Sequence, residues 1–127
     1  MILVDSFGWI EYLAEGRLAE RYEEYLTNLA EVITPTIVLY EVYKKLRRER
    51  REEEALLVVA QIMKTKVVPL SEEIALLAAE ISLKYTLPMA DAIVYATAVR
   101  ETCPVVTSDH HFKGLEEVIY LEAEINT

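Results

Sequence analysis

The segment Ile2-Leu3-Val4-Asp5-Ser6 shows the pattern on which the rest of the chain is built. Its first three residues are an apolar run with high strand propensity, and Asp5-Ser6 is a typical pair at the start of a helix. Apolar residues from Trp9 to Leu13 follow at helical spacing, and Gly16 closes the helix. The opening therefore predicts a short strand followed directly by a helix.

The same order of strand and helix recurs along the chain. Further strands are predicted at about 32–34, 67–70, 105–107 and 118–121. Further helices are predicted at about 18–29, 36–50, 53–63, 72–81 and 88–100. Strands that alternate with helices favour a mainly parallel sheet covered on both faces. The predicted fold class is α/β, a three-layer α/β/α sandwich, and the length of 127 residues predicts one domain over 1–127.

The charge of the chain is strongly acidic but unevenly distributed. Thirteen basic and 22 acidic residues give a net charge of -9, which argues against a protein that holds nucleic acid by broad electrostatic attraction. Six of the basic residues fall within Lys44–Arg51, named here the basic stretch. It is either a solvated helix surface or, near a catalytic acid, a patch that contacts phosphate or a partner.

Composition also bears on compartment and assembly. Cys103 is the only cysteine and stands in an apolar stretch, which favours a buried thiol in a reducing compartment. The N-terminus has no basic leader, and the apolar runs are too short to cross a bilayer, so we expect a cytoplasmic protein without membrane contact. An apolar content of 53% in a small chain predicts a homodimer that buries part of this surface.

Two carboxylates directly follow predicted strands. Asp5 comes after the first strand and Asp109 lies just past Thr107, at the end of a later strand. In an open parallel sheet ligands bind beyond the carboxyl ends of the strands, so the two acids share one crevice if their strands are neighbours. Each could instead merely cap the following helix.

Asp91 and Glu41 are the other acids of interest. Asp91 stands among apolar residues in the first turn of a helix, where an ionised carboxylate requires a cation or several hydrogen-bond donors. The helix dipole alone would supply part of that stabilisation. Glu41 is less distinctive, since Lys44 and Lys45 are placed to form ordinary helix-surface pairs with it.

Four blocks of sequence, in this order and spacing, resemble the PIN-domain nucleases, especially the VapC-type toxins of toxin–antitoxin pairs. The blocks are Asp5-Ser6-Phe7-Gly8-Trp9, Thr36-Ile37-Val38-Leu39-Tyr40-Glu41-Val42, Pro88-Met89-Ala90-Asp91-Ala92-Ile93-Val94-Tyr95-Ala96 and Val106-Thr107-Ser108-Asp109-His110-His111-Phe112. The resemblance covers essentially the whole chain. It departs from the family at Ser108, where asparagine or aspartate is common.

The resemblance implies a site and an activity. The family's metal ligands carry over to Asp5, Glu41, Asp91 and Asp109, and its hydroxyl neighbour of the site to Thr107. The implied protein is an endoribonuclease dependent on Mg²⁺ or Mn²⁺, the toxin partner of an antitoxin. Clustered carboxylates suit such ions, which lower the pKa of water and neutralise charge on a phosphodiester.

Other functions fit less well. Three glycines leave no glycine-rich nucleotide loop, and no aspartate follows the third predicted strand as a phosphate-accepting receiver domain requires. A noncatalytic PIN-like domain that binds metal or RNA and regulates a partner stays open as an alternative. His110 and His111 do not predict a zinc site, since adjacent side chains point apart on most backbones.

Overall fold

The computed structural model describes residues 1–49 and 52–122. Its strands are β1 (Ile2–Val4), β2 (Val32–Pro35), β3 (Lys66–Val68), β4 (Val105–Thr107) and β5 (Val118–Tyr120). Its α-helices are α1 (Ser6–Leu13), α2 (Ala19–Leu26), α3 (Thr36–Glu49), α4 (Glu52–Ile62), α5 (Glu72–Tyr85) and α6 (Met89–Glu101). Short 3-10 helices cover Leu29–Glu31 and His110–Phe112.

All five strands join one parallel sheet in the order β3-β2-β1-β4-β5. Consecutive residues of β1, β2 and β4 are buried, which requires cover on both faces of the sheet. The predicted three-layer α/β/α sandwich is therefore confirmed. The connection from β1 leads to β2 on one side, and the connection from β4 leads to β5 on the other side. The gap between β1 and β4 is therefore the topological switch point, where ligands bind in such sheets.

Helix α6 is the most deeply buried helix segment of the described chain. Every residue from Ala92 to Ala98 is buried, as its apolar sequence predicts, and it packs against α5. Helix α5 begins where predicted, since Ser71 accepts a hydrogen bond from the Ile74 amide at 3.2 Å. None of the helices in the described ranges is long and apolar enough to span a bilayer.

The second helix is shorter than its periodicity predicts. The apolar pattern runs to Leu29, but α2 ends at Leu26, and Leu29 begins a 3-10 helix. The hydroxyl of Thr27 donates to the Glu24 carbonyl at 3.3 Å, and Asn28 adopts an extended backbone. Both residue types compete with helical hydrogen bonding, so local side-chain chemistry overrides the apolar spacing here.

Helices α3 and α4 pack against each other. Helix α3 ends at Glu49, so Arg47 and Arg48 of the basic stretch lie in its last turn. Arg50 and Arg51 lie outside the described residues. The lone thiol of Cys103 is buried, as expected, and burial raises its pKa to about 11.

Candidate metal centre

Asp5 is a buried carboxylate at the switch point of the sheet. It directly follows β1 and caps α1, accepting a hydrogen bond from the Gly8 amide at 2.9 Å. Its residue is only 4% exposed. A Cβ at Gly8 would collide with Tyr22 and Val4, so glycine lets α1 approach the sheet this closely. Asp5 therefore is a cap, but one held in the interior where its charge is costly.

Thr107 connects Asp5 to the neighbouring strand. The registers Leu3 to Val105 and Val4 to Val106 make β1 and β4 neighbours, as a shared crevice requires. The fully buried Thr107 hydroxyl donates to Asp5 Oδ2 at 2.6 Å and accepts from the Asp109 amide at 2.9 Å. One hydroxyl thus contacts both strand-end residues, through the Asp5 carboxylate and the Asp109 backbone amide.

Glu41 reaches this edge from α3. The Ser6 hydroxyl, at the start of α1, donates to Glu41 Oε1 at 3.1 Å. Lys44 lies over the Tyr40 ring at 5.5 Å, and Lys45 pairs with Glu49 at 2.8 Å. The two lysines thus have partners other than Glu41, which instead lies half-buried beside the start of α1.

Asp91 completes the set from the first turn of α6, and its side chain is 20% exposed. The four acids are near one another, since the negative charge of Asp109 raises the pKa values of Asp5, Glu41 and Asp91. The structure thus gathers Asp5, Glu41, Asp91 and Asp109 from four separate segments at one edge of the sheet. We name these residues the acidic quartet.

Burial and the negative charge of Asp109 oppose the ionised forms of Asp5, Glu41 and Asp91. Burial raises the pKa of Asp5 to about 7, against the hydrogen bonds from Thr107 and Gly8, which lower it. Burial, followed by the charge of Asp109, raises the pKa of Asp91 to about 6. Burial also raises the pKa of Glu41, while its bond from Ser6 opposes the rise. A divalent cation would stabilise all of these carboxylates in their ionised form.

The tightest group of possible ligand atoms is not the quartet itself. Within the described residues, Asp109, His110 and His111 form a set whose ligand atoms all lie within 4.8 Å of one another. The other three acids of the quartet lie outside this set. The expectation that the adjacent histidines point apart is wrong, since both Nδ1 atoms face Asp109.

Ser108 has a defined structural role at the site. Its hydroxyl accepts a hydrogen bond from the Tyr22 hydroxyl at 2.7 Å, and its carbonyl accepts from the Tyr120 hydroxyl at 3.3 Å. Serine therefore ties the segment between Thr107 and Asp109 to α2 and β5. Neither this contact nor the Ser6 contact was predicted, because both depend on how helices pack on the sheet.

A sequence model of the PIN domain matches residues 2–118. The chain belongs to the PIN domain family. No curated protein matches the chain significantly. The quartet lies in the four blocks on which the resemblance to this family rested.

Solved structures share the whole PIN fold with this chain. A toxin–antitoxin complex from Klebsiella pneumoniae has a TM-score of 0.80 at 21% identity, covering 94% of this chain and 96% of that one. VapC20 of Mycobacterium tuberculosis, described as a toxin that cleaves the sarcin-ricin loop, has a TM-score of 0.77 at 18% identity, covering 93% and 97%. VapBC2 of Rickettsia felis, bound to promoter DNA, has a TM-score of 0.75 at 16% identity, covering 95% and 98%. At these identities the likeness shows the fold.

Proposed function

We propose that this PIN domain is an endoribonuclease that depends on Mg²⁺ or Mn²⁺ and is the toxin of a toxin–antitoxin pair. The observation that carries the proposal is the acidic quartet, whose members come from four segments and meet at the switch point between β1 and β4. A structural role alone gives no reason to collect four carboxylates, three of which have pKa values raised by burial and by the charge of Asp109.

The donor set fits a hard divalent cation, because each quartet member offers carboxylate oxygens and Mg²⁺ prefers oxygen ligands. When bound, such a cation neutralises phosphate charge and lowers the pKa of water. The chain's own residues position the site. Thr107 fixes the direction of the Asp5 carboxylate, and Ser6 fixes that of Glu41. Asp91 and Asp109 are both partly exposed, so RNA would reach the quartet at these two acids.

Two partners follow from the proposal. RNA is the substrate, and an antitoxin protein would cover the crevice, as the toxin–antitoxin complexes with this fold suggest. The basic stretch supplies exposed positive charge at Arg47 and Arg48, beyond Glu41 on α3. We propose that this charge contacts RNA phosphate or an acidic antitoxin segment. A homodimer is part of the same proposal.

RNA cleavage by purified protein tests the activity. We expect cleavage with Mg²⁺ or Mn²⁺, none with a chelator, and at least a hundredfold loss in Asp91→Asn, which keeps size but removes one charge from the quartet. Glu72→Gln is the matched control, since Glu72 is an exposed acid in the first turn of α5. Circular dichroism checks that both variants are folded.

The result also separates the alternative function. Cleavage that survives metal removal, or that Asp91→Asn leaves intact, contradicts the mechanism. A folded wild type that binds metal but cleaves no RNA supports the noncatalytic regulatory domain instead.

A further inference from the structure

The turn after β4 brings both histidines of the chain to one carboxylate. The Nδ1 atom of His111 lies 2.8 Å from Asp109 Oδ1, and that of His110 lies 3.7 Å from the same oxygen. The centroids of the two imidazole rings are 4.2 Å apart. Three consecutive residues therefore direct two nitrogens and one oxygen to a common point.

The backbone explains this convergence. Asp109 is extended, with φ -77° and ψ 122°, whereas His110–Phe112 is a 3-10 helix. The Asp109 carboxylate folds over that helix and accepts from the His111 amide at 3.0 Å. Phe112 is fully buried and anchors the turn from below. Because Phe112 points into the core, the imidazoles of His110 and His111 lie on the outside of the turn, beside the Asp109 carboxylate.

The spacing of these atoms suits a small tetrahedral ion. Ligands at about 2.0–2.1 Å from a tetrahedral zinc ion lie about 3.3–3.4 Å from one another. The two nitrogen–oxygen distances to Asp109, 2.8 and 3.7 Å, lie on either side of that range. Small side-chain rotations would bring the ligand atoms of Asp109, His110 and His111 around one ion. Asp91 Oδ2 lies 3.4 Å from His111 Nδ1, but Asp91 is outside this group of three.

The type of ligand distinguishes this set from the acidic quartet. Imidazole nitrogen favours zinc, cobalt, nickel and copper ions, whereas Mg²⁺ prefers oxygen. We propose that Asp109, His110 and His111 form a binding site for a divalent transition-metal ion of the zinc class. The His110 side chain is 81% exposed, so an ion from solution reaches the site directly.

The two ion sites share carboxylates. Asp109 belongs to both the quartet and the histidine site, so a Zn²⁺ ion there would occupy a carboxylate oxygen of the quartet and place positive charge beside it. An ion on the histidines therefore competes with Mg²⁺ or Mn²⁺ at the quartet. This regulatory consequence rests on the proposed function, whereas binding of the zinc-class ion does not.

Zinc binding to protein without a histidine tag tests the site. Because the chain contains two histidines in all, an imidazole signal can come from no other place. We expect saturable binding of one Zn²⁺ per chain by competition with a chromophoric chelator, and a tetrahedral visible spectrum when Co²⁺ is the probe. The double variant His110→Gln/His111→Gln should lose at least about tenfold in Zn²⁺ affinity, since even supporting partners of metal ligands have effects of this size.

Glu41→Gln is the matched control, because it alters the quartet and leaves the imidazoles in place. We expect it to change Zn²⁺ affinity by less than about threefold while weakening the stabilisation by Mg²⁺. Both histidines are on the surface, and circular dichroism checks that the double variant folds.

Two outcomes overturn the proposal: no saturable Zn²⁺ binding by wild type, or the same Zn²⁺ affinity in the double histidine variant. Either result reduces the cluster to a hydrogen bond between His111 and Asp109. If the wild type binds Zn²⁺ but does not cleave RNA with Mg²⁺ or Mn²⁺, the result counts against the proposed function and not against the zinc site. Zn²⁺ that binds to the histidines without slowing Mg²⁺-dependent cleavage overturns the competition.

Discussion

Replacing Thr107 by valine tests whether one buried hydroxyl organises the acidic quartet. Valine keeps the shape of threonine but can neither donate to Asp5 nor accept from the Asp109 amide, the two bonds of 2.6 and 2.9 Å. Serine is the matched control, because it keeps the hydroxyl and loses only a methyl group. The comparison of the two variants therefore isolates the hydrogen bonds from the packing.

The expected loss follows from these two bonds. A hydrogen bond to a charged group contributes about 1.5–3 kcal/mol, and a buried amide left without its acceptor costs about 1–3 kcal/mol. Because Asp109 is partly exposed, water offsets some of the second cost. We expect Thr107→Val to lower the free energy of unfolding by about 3 kcal/mol. Thr107→Ser should lower it by about 1 kcal/mol through the lost methyl group.

The difference between the variants should also depend on pH. The Thr107 bond lowers the pKa of Asp5, so its removal raises a pKa that burial has already raised to about 7. Above that pH the variant loses a bond to an ionised carboxylate, and below it only a weaker bond to a neutral acid. The difference in the free energy of unfolding between Thr107→Val and Thr107→Ser should therefore shrink by about 1 kcal/mol when the pH is lowered from about 8.5 to about 5.5.

Urea denaturation of metal-free protein at the two pH values measures this gap. Equal stability of the valine and serine variants at high pH would refute the role assigned to the hydroxyl. A gap that widens on acidification would show that Asp5 is not the group that titrates.

Three further predictions concern charge. Burial raises the pKa values of Asp5 and Asp91 above the ordinary 3.8 to about 7 and about 6, so the folded state holds protons that the unfolded chain releases. Metal-free stability should therefore fall as pH rises from about 4 to about 7, and urea denaturation that shows a rise contradicts this. In the presence of a chelator, Asp109→Asn should have a melting temperature no lower than that of wild type. It should lose much of the increase in melting temperature that Mg²⁺ or Mn²⁺ gives the wild type. An undiminished increase in a thermal-shift assay argues against a shared ion. Arg47→Gln should reduce the slope of log RNA affinity against log salt concentration by roughly one unit, whereas Arg100→Gln on α6 should leave this slope unchanged. The slopes are measured in the Asp91→Asn background, which silences cleavage. If Arg47→Gln also leaves the slope unchanged, the basic stretch is a solvated surface.

The sheet and the position of Asp5 and Asp109 at its carboxyl edge were predictable from sequence, since apolar strands that end in an acid place that acid at one edge of a parallel sheet. That the two acids come together depended on β1 and β4 being neighbours, which the structure shows. The buried surroundings of Asp91 were also predictable, because apolar residues occupy nearly every side of α6. What these acids bind remains a prediction.

The contacts that orient the site were not all predictable. The bond from Ser6 to Glu41 depends on how α1 packs against α3, 35 positions away, and nothing in the local sequence marks it. The convergence of His110 and His111 depends on a change from extended to 3-10 backbone at Asp109. Asp109 belongs to the extended segment and both histidines belong to the 3-10 helix that follows it. A sequence pattern predicts side-chain directions along one regular element, and not across such a change of backbone.

The bond between Thr107 and Asp5 joins residues 102 positions apart and has a consequence for synthesis of the chain. β1 leaves the ribosome before its neighbour β4 and before Asp109, the acid that follows β4. Contacts of such sequence separation form slowly and only once both partners exist. If the protein is the ribonuclease proposed here, an unfinished chain that stops before β4 cannot cut the messenger from which it is being translated. Under the proposed function, the order of the strands would delay RNA cleavage until β4 and Asp109 have been made.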